Sequence, residues 1–140
     1  MNKKPLLLND RTFERTKKRL TAAVRKYRVI LGLDQWDLRT TFTIDKDTDN
    51  SAGGALSYAK TYVLWPYKRA EITFFVGELT ECSISELEEV VIHEMTHILV
   101  NEMREWNSDN TGSMGHEERV VTDITNAFVW CLESRLGNER

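Results

Sequence analysis

The chain has 140 residues, 41% of them hydrophobic and 29% charged, so one domain spanning residues 1–140 with its own core is expected and a disordered protein is excluded. The net charge of −3 hides an asymmetry: residues 1–28 carry ten Lys and Arg against Asp10 and Glu14, a local +8 that leaves −11 for the remainder. Such a segment can meet nucleic acid or an acidic partner surface, although the solvated face of an amphipathic helix accounts for it with less.

Residues 1–9 (MNKKPLLLN) hold two lysines and three leucines but no long apolar stretch and no small-residue cleavage site, so no signal peptide is expected there. Nor does any later run have the length and apolarity of a membrane span, and a cytoplasmic protein is the expectation. Phe13, Lys17, Leu20, Val24, Tyr27 and Leu31 recur at steps of three and four, with Asn9 or Asp10 as cap and Gly32 past the end, which predicts an amphipathic N-terminal helix. Residues 36–44 (WDLRTTFTI), 55–64 (ALSYAKTYVL) and 70–76 (AEITFFV) are β-branched and aromatic and read as three strands. Their connections are too short for crossover helices, so a mostly antiparallel sheet is expected, with a turn at residues 65–69. Asp45, Asp47 and Asp49 have the spacing of a calcium loop. Asn50 and Leu56 stand where that loop needs glycine and glutamate, so a solvated turn is expected instead.

A second helix is predicted from near Ser85, whose spacing to Glu88 makes a capping box, to about Trp106. Its middle (Val90, Val91, Ile92, Met95, Ile98, Leu99, Val100) is apolar on all sides and reads as buried. A polar loop at residues 107–115 precedes a last helix from about His116 to Leu136. Cys82 and Cys131 are far apart, form no C-x-x-C pair, and read as small buried hydrophobes in a reducing compartment.

The chemistry concentrates in His93-Glu94-Met95-Thr96-His97. Two histidines four apart on a helix project their rings from adjacent turns of one face, close enough to share a tetrahedral cation, and neutral imidazole suits zinc. Glu94, about 100° around the helix from His93, is free to act on water as a general base. Two histidines and a glutamate in a buried helix would each cost desolvation energy without partners, an objection a metal removes.

A catalytic zinc site usually has three protein ligands and one open position. The third is expected on the last helix, where Val120, Val121, Ile124, Phe128 and Cys131 define the buried face and a wheel at about 100° per residue sets Glu117 at its centre. Glu118 is the alternative, read as an exposed first-turn glutamate favoured by the helix dipole. His116 is a candidate to polarise a carbonyl or steady an oxyanion, as are Tyr58, Tyr62 and Tyr67, while Asn101, Asp109 and Asp123 are candidates to orient the ligand rings.

The order of a basic helix, three strands, an H-E-x-x-H helix, a loop and a glutamate-bearing helix resembles the gluzincin zinc metallopeptidases in minimal, stand-alone form, over most of the chain from Phe13 to Leu136. The separation of His97 and Glu117 is that of thermolysin-like enzymes. The resemblance implies a zincin-like α+β fold, zinc on His93, His97 and Glu117, Glu94 as general base, and a peptide or protein substrate lying along the 55–64 or 70–76 strand. Val100 and Met103 stand where a metzincin has glycine and histidine, which excludes that class. Thermolysin-like enzymes have an aspartate where this chain has Val121, and a catalytic histidine in a later domain. The short chain also resembles SprT-like and ImmA/IrrE-like cytoplasmic metallopeptidases; the first use a third histidine and often a zinc ribbon, for which this chain has no cysteine pairs. The expected function is zinc-dependent endopeptidase activity. The alternatives are a non-catalytic zinc-stabilised binding module, closed by a fourth ligand, and a metallopeptidase directed to nucleic acid by the basic helix.

Overall fold

Asn9 starts the first helix by accepting the backbone N–H of Arg11 on its side-chain oxygen at 3.1 Å, and α1 runs Asp10–Ile30. The computed structural model describes residues 9–44, 58–105 and 113–138. On α1, Thr16, Leu20, Ala23, Val24 and Tyr27 form the buried face. The helix ends at Leu31, and Gly32 follows with φ of 71°, a left-handed conformation that glycine adopts without strain. Arg28 then donates to the carbonyls of Leu33, Asp34 and Trp36 at 3.3, 3.2 and 2.6 Å, tying the end of α1 to the approach to the sheet. Lys17 lies over the Phe42 ring, and Lys26 reaches Glu88. These three basic side chains therefore serve the fold, whereas Arg11, Arg15, Lys18, Arg19 and Arg25 are exposed.

The strands are β1 (Asp37–Thr43), β2 (Ala59–Leu64) and β3 (Arg69–Phe75), in spatial order β1-β3-β2. A single 3-10 turn, Trp65–Tyr67, and a left-handed Lys68 fold β3 back antiparallel onto β2. β1 pairs parallel with β3, so the sheet is mixed rather than mostly antiparallel. Short connections imply antiparallel pairing only when consecutive strands are neighbours. Here β1 skips β2, and the whole of residues 44–68 is available to carry the chain back. On central β3, Ala70, Ile72 and Phe74 are buried. The register aligns them with Leu38, Thr40 and Phe42 on one side and Val63, Thr61 and Ala59 on the other, which makes the core-facing side of the sheet. The opposite side is polar, with Thr41 donating to Glu71, and Arg39 and Arg69 paired with Asp37. The expected loop at residues 45–54 lies outside the described residues.

β3 passes directly into a one-turn helix, α2 (Val76–Leu79), which the sequence reading missed. Gly77 comes so close to β1 that a Cβ there would sit 2.5 Å from the carbonyl oxygen of Ile44. The next helix, α3, spans Ile84–Glu105. Its capping box is Ser83 with Glu86, not Ser85 with Glu88: the Glu86 N–H donates to Ser83 Oγ at 3.2 Å, and the Ser83 N–H donates to Glu86 Oε2 at 2.6 Å. Two overlapping S-x-x-E patterns compete there, and Glu88 is committed elsewhere. It accepts from Tyr27 Oη at 2.7 Å and from Lys26 Nζ at 3.2 Å. The Tyr27 phenol, pushed up in pKa first by burial and then by Glu88, also sets its ring edge-on to Phe128, so one side chain joins α1, α3 and the last helix.

Leu87, Val91, Ile92, Met95 and Ile98 of α3 fill the core with Leu20, Tyr27, Ile72 and Phe74. α3 is not enclosed, however, since Leu99 is 46% exposed. The last helix, α4 (Ser113–Asn138), begins three residues before His116. Its buried face runs through Glu117, Val121 and Thr125 to the partly buried Phe128 and Leu132, while Ile124 and Cys131, both expected inside, are exposed. Thr125 is buried despite its hydroxyl, so the buried face differs from the one the apolar residues alone define. The architecture is α+β, and among the described residues no helix is long and apolar enough to cross a membrane. Ser83→Ala is expected to lower stability by about 1 kcal/mol in chemical denaturation, and Ser85→Ala to leave it nearly unchanged.

Candidate metal centre

His93 and His97 lie on one face of α3, separated by one turn, with ring centroids 5.0 Å apart and planes at 76°. α4 crosses above them and presents two adjacent glutamates in its second turn. Glu118 approaches both rings, with Oε1 at 2.9 Å from His93 Nε2 and Oε2 at 3.1 Å from His97 Nε2. Glu117 lies behind, with Oε1 at 2.9 Å from His97 Nδ1. One donor atom each from His93, His97 and Glu118 falls within 4.8 Å of the others. Donors about 2.0–2.1 Å from a tetrahedral zinc stand about 3.3 Å from one another, so the group needs only small side-chain adjustment to accept the ion.

The hydrogen-bond chemistry fits a cation. A carboxylate can only accept, so a neutral His97 that donates from Nδ1 to Glu117 keeps its Nε2 lone pair for a cation. Lone pairs on Nε2 facing Glu118 oxygens repel unless positive charge sits among them, supplied by protons or by a metal. The donor set of two imidazoles and one carboxylate is one that zinc takes.

Glu94, next to His93 in the chain, is 7% exposed. Its Oε2 accepts a hydrogen bond from the hydroxyl of Thr61 on β2. Burial pushes its carboxyl pKa above the usual range, against the lowering influence of Thr61 and of the charges on His97 and His93. On the solvent side Glu118 is the open member, with 57% of its side chain exposed against 7% for Glu117.

His93, Glu94, His97 and Glu117 are thus brought together, but the carboxylate grouped with the two Nε2 atoms is that of Glu118. The wheel correctly turned Glu117 inward. Glu118, at the margin of the buried face, opens to solvent, while Glu117, at its centre, backs the His97 ring. The dipole explanation for Glu118 does not apply either, because α4 starts at Ser113 and its first turn holds no acidic residue. His116 lies on α4 beside Glu117, and its side chain is outside the described residues, as is Asp109. Tyr58, Tyr62 and Tyr67 are exposed, and Tyr62 is on the face of the sheet opposite to Thr61. Asn101 is buried one turn beyond His97, whereas Asp123 pairs with Arg119 on the outside of α4 and orients no ring. Thr61 was missed, although a hydroxyl between Ala59 and Val63 at an inward strand position was its available signal.

Compared with protein-family models, with curated proteins and with solved structures, the chain matches none. In zinc titrations of metal-stripped protein, Glu117→Gln is expected to weaken affinity by about 10-fold to 100-fold, the usual effect of losing a residue that orients a ligand, and Glu118→Ala by more.

Proposed function

We propose that the chain is a zinc-dependent endopeptidase with a zincin-like arrangement, in which His93, His97 and Glu118 hold the metal. The observation that carries the reading is the convergence of those three side chains beside the buried carboxylate of Glu94. When bound, zinc supplies a Lewis acid that polarises a carbonyl and lowers the pKa of water toward neutrality. Glu94 then takes one proton from the attacking water on a carboxylate oxygen and passes it to the nitrogen of the leaving amine. Glu117 orients the His97 ring through Nδ1. His116 is the candidate donor to the oxyanion that develops on the attacked carbonyl.

The sheet order also favours this reading. Of the two strands considered for substrate, β3 is flanked by a strand on either side and β2 is outermost among the described residues, and Thr61 connects β2 to Glu94. A purely structural zinc site is normally closed by four protein ligands; among the described residues the group has three, one of them largely exposed.

Purified protein is expected to contain one zinc per chain and to cleave members of a mixed peptide library. Glu94→Gln should keep the zinc and lose about 10²-fold to 10⁴-fold in rate, the contribution of a general base. Wild-type protein that holds zinc yet cleaves no faster than Glu94→Gln ends the enzymatic reading.

A further inference from the structure

Thr61 is a partly buried hydroxyl on the core-facing side of the sheet. It faces inward on β2 between Ala59 and Val63, its partner on β3 is Ile72, and the rest of that row belongs to the core-facing side of the sheet. Valine has the same shape and higher strand preference, and a hydroxyl in such a place costs desolvation unless it is paired. Glu94 is the complementary misfit, a carboxylate on the inward side of α3. The two satisfy each other across the gap between strand and helix, through the hydroxyl of Thr61 and Oε2 of Glu94.

We propose that Thr61 is a positioning residue for the general base: by holding Oε2 of Glu94 from the edge strand, it leaves Oε1 as the oxygen that exchanges the proton. The inference rests on the hydrolytic reading for its effect on rate, but the contact itself can be tested without turnover. A glutamate side chain has several rotatable bonds, and no other described side chain is hydrogen-bonded to this carboxylate. Orienting it from β2 places the carboxylate in fixed relation to that strand.

The experiment compares wild type, Thr61→Val, which keeps the shape and removes the hydroxyl, and Thr61→Ser, which keeps the hydroxyl. With a peptide cleaved by wild type, Thr61→Val is expected to lower kcat by about 10-fold to 100-fold, the scale on which small misplacements of catalytic groups act, with KM and zinc affinity within about twofold. Thr61→Ser should restore kcat to within about threefold of wild type. The second arm uses metal-stripped protein and urea midpoints: Thr61→Val should shift the midpoint by a different amount when Glu94 is present than in a Glu94→Ala background. An unchanged kcat in Thr61→Val, a Thr61→Ser variant no better than Thr61→Val, or additive midpoints overturns the proposal. If wild type cleaves no peptide, the hydrolytic reading is the one that fails, and the midpoints still decide whether Thr61 holds Glu94.

Discussion

α3 has to satisfy two opposed demands within two turns. Val91, Ile92, Met95 and Ile98 anchor the core against α1 and the sheet, while His93, Glu94 and His97, interleaved with them, present polar groups that must be either paired or solvated. The helix meets both demands because its 3.6-residue period sends the two sets in different directions, and because β2 and α4 flank it with matched polar partners. Thr61 comes from one side and the Glu117–Glu118 pair from the other. The rest of the molecule holds those flanks in place through the shared apolar core, to which the Tyr27–Glu88 contact between α1 and α3 and the Tyr27–Phe128 contact with α4 add.

The same environment gives three neighbouring carboxylates three different characters. Glu94 is buried beside a hydroxyl, and desolvation makes it more basic than an exposed glutamate. Glu117 is buried against Nδ1 of His97. Glu118 is largely solvated and faces two nitrogens at once. A cluster of this composition accumulates negative charge around two imidazoles, and a divalent cation is the species that balances it without demanding protonated histidines.

Much of this was legible in the sequence. The period of α1 and its Gly32 stop, the three strands and the H-E-x-x-H helix follow from local pattern, since each element's signal lies within its own residues. Pairing does not. Nothing local to residues 37–43 says that they lie beside β3 rather than β2, because that choice depends on how the chain returns after a long connection. The site divides in the same way. His93, Glu94 and His97 share a helix and announce themselves by spacing, whereas the roles of Glu117 and Glu118 turn on the rotation of α4, which buries Thr125 and leaves Ile124 and Cys131 outside. Thr61 carries only a faint signal, a polar residue out of step in an alternating strand.

The parallel pairing of β1 with β3 also bears on how the chain assembles. The β2–β3 hairpin closes over a few residues, Leu64 lying opposite Arg69, whereas Asp37 must find the same Arg69 from the far side of that hairpin. The entropic cost of closure grows with the length of chain enclosed, so the hairpin is the natural early structure and β1 docks onto an edge that already exists. α1, tethered to β1 through Arg28, arrives with it and brings Tyr27 to Glu88. The two helices that carry the histidines and glutamates follow one another in the chain and pack directly on each other, so by the same length argument their polar cluster can assemble locally, and the return of α1 fastens a pair already in contact.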